Sequence, residues 1–352
     1  MLHGRDKVSD LIFSPGRAPQ VEERGELIEL PFEGLEQLKP EQTIQIAEDL
    51  IGANQIATQQ LTKSGSADLS YALTGVARFR VNIFRQRSSC AIVMRVIPST
   101  VPSFDDLRLP PALQEIVPLR NGIVLVTGPT GSGKSSTLAA VIDRMNETRA
   151  IHILTIEDPI EFLHSHKKAT IHQRELHGDV PTFSLALRAA LRQAPKVILV
   201  GEMRDRETFA AAMTAAETGH LVFSTLHSGN AAMAIDRIVD SFAPHQQTQV
   251  RAQLASVLRA IVTQLLLPAA QPGQLVAATE RMFVTHAIAH KIREGRGHQI
   301  SDLILTGRAE GMVSLETSLA ELVRQGRITL ATARAAARNP EVLREMLGER
   351  AR

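Results

Sequence analysis

Residues 128–135 read Gly128-Pro129-Thr130-Gly131-Ser132-Gly133-Lys134-Ser135, a complete G-x-x-x-x-G-K-[ST] loop directly behind the apolar run Ile123-Val124-Leu125-Val126. The run reads as a buried strand. Beyond the loop, Leu138, Val141, Ile142 and Met145 recur at i, i+3, i+4 and i+7, so a helix starts where the loop ends. Strand, glycine loop and helix in that order predict a nucleoside triphosphate site. The glycines let successive backbone N–H groups point at a β-phosphate, and the helix offers its positive end. Lys134 supplies a point charge, Ser135 a hydroxyl for Mg²⁺, and Ser136 extends the set.

Around this loop the chain divides by composition. Residues 1–97 alternate short β-like runs (27–30, 71–73, 79–84, 91–97) with one helical stretch at 42–61, an α+β pattern. Residues 98–111 carry Pro98, Pro102, Pro110 and Pro111, which suit neither helix interior nor central strand, and read as an interdomain connector. A second domain, 112–352, alternates apolar strands (123–126, 152–156, 197–200, 221–223) with helical segments (134–146, 182–193, 206–218), the signature of an α/β parallel sheet. Past Ser228 the reading turns helical. Val250, Leu254, Val257, Leu258, Ile261 and Leu265 keep a 3.6 period, and amphipathic stretches follow at 284–293, 315–325 and 332–347.

The 352 residues carry a net charge of only +2, which argues against a general polyanion or nucleic-acid binder. One cysteine, Cys90, excludes an internal disulfide framework. With no signal-like start and no long apolar run, the expectation is a cytoplasmic protein whose membrane association is borrowed from a partner.

Hydrolysis needs a carboxylate for the metal's water shell and another to orient the attacking water. Two acidic clusters follow apolar strands, Glu157-Asp158-Pro159-Ile160-Glu161 and Glu202-Met203-Arg204-Asp205, where open α/β sheets bind ligands. Carboxylates there can equally cap the next helix. His220 and His227 bracket the strand-like Leu221–Leu226, which suits a phosphate sensor; two histidines satisfied by backbone also fit. His164-Ser165-His166 lacks a nearby third ligand and reads as a solvated loop.

Together the phosphate loop, Ile153 through Phe162, Val197 through Asp205 and Glu217-Thr218-Gly219-His220-Leu221 resemble the Walker A, Asp-box, Walker B and His-box motifs of secretion-superfamily ATPases. Flanking stretches such as Ala77 through Asn82, Arg95 through Ser99 and Ala287 through Gly295 extend the resemblance to the type IV pilus retraction ATPases nearly end to end. The resemblance implies a homohexameric ring of subunits, each with a PAS-like N-terminal domain and a RecA-like P-loop ATPase domain. It implies ATP and Mg²⁺ as cofactors, Glu161 as general base, Glu202 as Walker B acid, Glu157 and Asp158 as Asp-box residues, and His220 and His227 as the His-box pair. Arg78, Arg80 and Arg95 become candidates to reach the phosphates from the first domain; strand-face ion pairs are their other reading.

The implied partners are an inner-membrane pilus platform protein and a paralogous ATPase, with the ring peripheral to that membrane. The chain departs from the pattern at Ser136, at Lys196 and at Ala289-His290-Lys291, and Gln193-Ala194-Pro195 looks closer to the accessory paralogue. An assembly or secretion ATPase is disfavoured because one cysteine cannot build the four-cysteine metal insertion of those relatives.

Overall fold

A computed structural model describes residues 1–2, 8–23, 25–98 and 100–348. Ser99, part of the expected connector, lies outside them. The chain divides into two compact units, Met1–Thr100 with Glu161–Leu163, and Val101–Ile160 with His164–Arg352.

The first unit contains β1 (Val8–Phe13), β2 (Gln20–Glu23), β3 (Glu26–Glu29), α1 (Pro40–Ile51), α2 (Gln55–Ser64), β4 (Ser66–Leu73), β5 (Ala77–Gln86) and β6 (Ser89–Ile97). Its six strands form one antiparallel sheet, ordered β3-β2-β1-β6-β5-β4. On β5 the period of two is clear. Phe79, Val81 and Ile83 are buried, and the intervening Arg78 and Arg80 occupy the other face. The helix expected over 42–61 is two helices, broken at Gly52, whose φ of +52° a helix interior does not accept.

The second unit begins with β7 (Gly122–Thr127), α3 (Lys134–Thr148), β8 (His152–Glu157), β9 (Thr170–Glu175), α4 (Phe183–Ala190), β10 (Val197–Glu202), α5 (Arg206–Glu217) and β11 (Leu221–Leu226). It continues with α6 (Ala231–Asp240), α7 (Pro244–Val257), β12 (Leu258–Pro268), β13 (Leu275–Phe283), α8 (His286–Glu294), α9 (Ile300–Thr306), α10 (Leu315–Arg324), α11 (Leu330–Ala336) and α12 (Pro340–Leu347). The seven strands are ordered β13-β12-β7-β11-β10-β8-β9, and all pairs are parallel except β12 with β13.

Strand β7 explains the two-layer core. Ile123 and Leu125 face a cluster with Phe209, Leu254 and Ile288, while Val124 and Val126 face Leu138, Val141, Ile142 and Met145 of α3. Each fully buried aliphatic of this kind contributes about 1.5–3 kcal/mol. Leu109, from the expected connector, is buried in the α3-side cluster, with Phe104 and Leu107 packed against it, so that stretch is partly core.

The helix expected through 250–265 is corrected. α7 ends at Val257, Leu258 turns extended (φ −66°, ψ 134°), and β12 runs beside β7 and pairs with β13. Five consecutive residues of β12, Ala260 through Gln264, are buried, so the strand shows no period of two, and its apolar residues mimic a continuing helix. The stretch at 332–347 is likewise two helices, with Pro340 starting the second.

Candidate active site

Parallel pairing brings the ends of β7, β11, β10 and β8 to one edge. Thr127 pairs with Leu226, Thr225 with Glu202, and Val200 with Ile156. The phosphate loop, His227, Glu202 and Glu157 therefore follow one another along the edge where open α/β sheets bind ligands.

The loop itself is shaped by glycines at φ +143° (Gly128), +76° (Gly131) and +81° (Gly133). At Gly128 the reason is also steric: an added Cβ would sit 2.3 Å from the backbone oxygen of Gln264 and 2.7 Å from Ser132 Oγ. Lys134, buried to 8 % exposure, folds back so that Nζ donates to Gly128 O (3.1 Å) and Pro129 O (2.9 Å). The ammonium is thus held inside the curl. Ser132 Oγ is buried without a hydrogen-bond partner, a group that costs about 1–3 kcal/mol to leave unmet and that faces its own loop. Pro129, Thr130 and Gly131 are exposed, and Ser135 and Ser136 are half-buried in the first turn of α3.

Sequence reasoning missed the residue that fixes this curl. Gln264, buried in β12, donates from Nε2 to Ser132 O (2.6 Å) and accepts from Thr137 Oγ1 (2.8 Å), tying the loop to the first turn of α3. Next to it, Thr127 Oγ1 donates to Thr263 Oγ1 (2.8 Å). Two polar residues inside an apolar run, Thr263-Gln264, were the available signal.

The acidic clusters separate by role. Asp205 caps α5, accepting from the Thr208 amide (2.8 Å) and hydroxyl (2.9 Å). Glu202 does not cap. One carboxylate oxygen accepts from Arg204 (2.7 Å) and the other lies 3.3 Å from His227 Nε2. The Glu202 carboxylate pushes the Arg204 guanidinium above its ordinary pKa, chiefly through that hydrogen bond. Glu157 accepts from Thr155 Oγ1 (2.6 Å) and Gln173 Nε2 (3.1 Å). Gly201 lets β10 pass close by, because a Cβ there would lie 3.3 Å from Glu157 Cα. Asp158 is exposed before the cis peptide to Pro159, and Glu161, also exposed, groups with the first unit.

The histidine pair is split. His227 sits beside Glu202, but His220 precedes β11, with its carbonyl accepting from Gly122 N (3.0 Å) at the edge where the strands begin. The six residues of β11 lie between them, and seven steps of about 3.3 Å place them about 23 Å apart. His220 Nδ1 is 3.0 Å from Ala215 O, so the structure does not bring it to the phosphate loop of its own subunit. Of residues 164–166, read as a solvated loop, Ser165 and His166 are exposed, but His164 is not solvated. The His164 ring is 3 % exposed, 3.7 Å from Asp143, and burial lowers its pKa.

In the first unit Arg80 lies directly opposite Arg95 on the β5–β6 pair, with Arg78 two residues along the same face. Arg95 Nε donates to Asp10 (3.0 Å), an ion pair whose arginine side chain remains 67 % exposed.

Among the described residues no group of three or more His, Cys, Asp or Glu could hold a metal by itself. The Ser135 hydroxyl and the Glu202 carboxylate are hard oxygen donors, which suit Mg²⁺ carried in with phosphates and most of its waters. No helix among the described residues is long and apolar enough to cross a membrane.

Residues 33–347 match the family described as Type II/IV secretion system protein. A Neisseria gonorrhoeae "Twitching motility protein" is 51 % identical over 274 residues, 78 % of this chain and 73 % of that protein. The Pseudomonas aeruginosa "Type IV pilus retractation ATPase PilT" is 44 % identical over 333 residues, 95 % of each. Among solved structures, that described as "Crystal Structure of the Pilus Retraction Motor PilT and Bound ADP" superposes with a TM-score of 0.87 at 42 % identity, covering 96 % of this chain and 95 % of that one. The chain belongs to the type II/IV secretion-system family and, within it, to the PilT-type ATPases.

Proposed function

We propose that this chain is the subunit of a homohexameric motor that hydrolyses ATP to drive retraction of type IV pili. The observation that carries the reading is the phosphate loop held in a curl by Gln264, with Glu202 and His227 on the same sheet edge, in a chain alike end to end to a pilus retraction ATPase. Lys134 turns from the loop carbonyls to the β- and γ-phosphates, and the loop amides donate to the remaining phosphate oxygens. Ser135 and Glu202 would hold Mg²⁺, which would supply charge neutralisation at the phosphates. Glu161 orients the attacking water and takes its proton. Arg78, Arg80 and Arg95, on a PAS-like first unit, stabilise the departing charge as the domains close, within a subunit or across the ring. Closure of a head-to-tail ring requires only that the rotation between copies close.

Retraction works through an inner-membrane platform protein, where the ring is peripheral, and a paralogous ATPase is a further partner; nucleic acid is not. Deletion of the gene tests the reading. Cells are expected to stay piliated and lose twitching movement, and Glu161→Gln protein should not restore it. A deletion strain without surface pili would refute retraction, and one that moves normally would favour an accessory ring.

A further inference from the structure

Glu280 of β13 is a buried carboxylate, 6 % exposed, far along the chain from the acidic clusters of the nucleotide edge. Its two oxygens are divided. One accepts from the backbone N–H of Ala231, the first residue of α6 (2.8 Å), and the other from Arg338 Nη1 (2.6 Å), in the turn between α11 and α12. The second arm of the Arg338 guanidinium donates to Gly229 O. Residues 229–231 are therefore gripped at both ends, by the carbonyl of Gly229 and the amide of Ala231. That stretch starts two residues after His227, the residue whose ring faces Glu202 and whose carbonyl is held by Arg237 Nη1 (2.6 Å).

Arg338 is itself set in place from behind. The amides of Arg338 (3.1 Å) and Asn339 (3.0 Å) both donate to Glu316 Oε1, a carboxylate of α10 that is 8 % exposed. On the other side Glu280 pairs across the hairpin with Thr263, the hydroxyl partner of Thr127 at the mouth of the phosphate loop. Two buried carboxylates and a forked guanidinium are a costly way to pack a tail, since apolar residues of similar volume are often neutral or better for stability. What the fork adds is geometry: one rigid plane sets a carboxylate and a carbonyl relative to each other.

We infer that Arg338, with Glu280, is a positioning device for the His227 loop, so that the C-terminal helical segment sets how His227 meets Glu202 and thereby the turnover of the site. The turnover arm of the test rests on the motor reading; a second arm does not.

The first arm is a double-mutant cycle on the full-length protein. Arg338→Ala should lower kcat roughly 10-fold or more, as small misplacements do, with the KM for ATP changed less than about twofold. Combined with His227→Ala, its effect should shrink, because the two act through one loop. Arg324→Ala, which removes a contact to Met346 O in the same tail, should combine additively. Arg338→Lys, which keeps the charge without the fork, should recover part of kcat. Additivity of Arg338→Ala with His227→Ala, or unchanged kcat in a folded Arg338→Ala protein, would overturn the inference. The second arm is hydrogen exchange of the 228–231 amides, which needs no turnover. Faster exchange there in Arg338→Ala but not Arg324→Ala supports the clamp, and equal exchange overturns it whatever becomes of the motor reading.

Discussion

The two edges of the seven-stranded sheet both carry histidines, and they are wired differently. Where the strands end, His227 faces the Glu202 carboxylate at 3.3 Å. Where they begin, His220 answers the carbonyl of Ala215 (3.0 Å) and His152 that of Gln193 (3.1 Å), with His172 beside it at 2.9 Å. A carbonyl partner satisfies an imidazole and fixes its tautomer. A carboxylate partner links it to a charge that can be passed to a ligand or metal. Residue type and strand adjacency are the same for His220 and His227, so the partner, not the residue, separates the two positions.

The largest test of this contrast is Lys134→Ala at the strand-end edge. Turnover should fall about 10³-fold while circular dichroism stays native, because a charge is lost at the phosphates while only the two loop carbonyls of Gly128 and Pro129 lose a donor and no apolar core side chain is removed. Steady-state ATPase activity near wild type would end the assignment of that edge as the site. Glu202→Gln is expected to cost about 10²-fold and to raise the Mg²⁺ concentration needed for half-maximal rate, read from a Mg²⁺ titration. A loss of rate with an unmoved titration would detach Glu202 from the metal.

Gln264→Ala probes the support beneath the loop. Leaving Ser132 O and Thr137 Oγ1 unmet should cost about 2–3 kcal/mol and weaken nucleotide binding several-fold, measured by calorimetric titration. The finest comparison is between the histidines themselves. His227→Ala should shift the Mg²⁺ titration and His220→Ala should not, and equal shifts would erase the distinction between the edges.

Much of this is legible in the sequence alone. The strand, glycine loop and helix around residue 128 follow from an apolar run and an i, i+3, i+4, i+7 pattern, and β8, β10 and β11 follow from compact apolar runs. β12 was not, because a strand buried on both faces loses its period of two, and Leu258, Ile261 and Leu265 fall by chance on a helical repeat begun by α7. That single misreading hid Gln264 and Thr263, since polar residues on a helix face suggest solvent, whereas on a central strand they demand partners. The split of His220 from His227 was implicit in the strand they bracket and in a parallel sheet, whereas the Glu202 partner of His227 was not, because it comes from the neighbouring strand. Glu280 and Arg338 lie 58 residues apart and carry no local pattern at all.

The octapeptide at 128–135 is, on this evidence of packing, not a portable module. Its curl is clasped by an amide 132 residues downstream, and the same strand's backbone is what restricts residue 128 to glycine. Grafted into another sheet, the loop would bring its lysine and leave its template behind. The converse is a vulnerability. A one-residue register slip of β12 against β7 turns Gln264 to the opposite face, and a single insertion near residue 258 would bring the shorter Thr263 to the loop in its place, disarming the nucleotide site while sparing every residue of its motif.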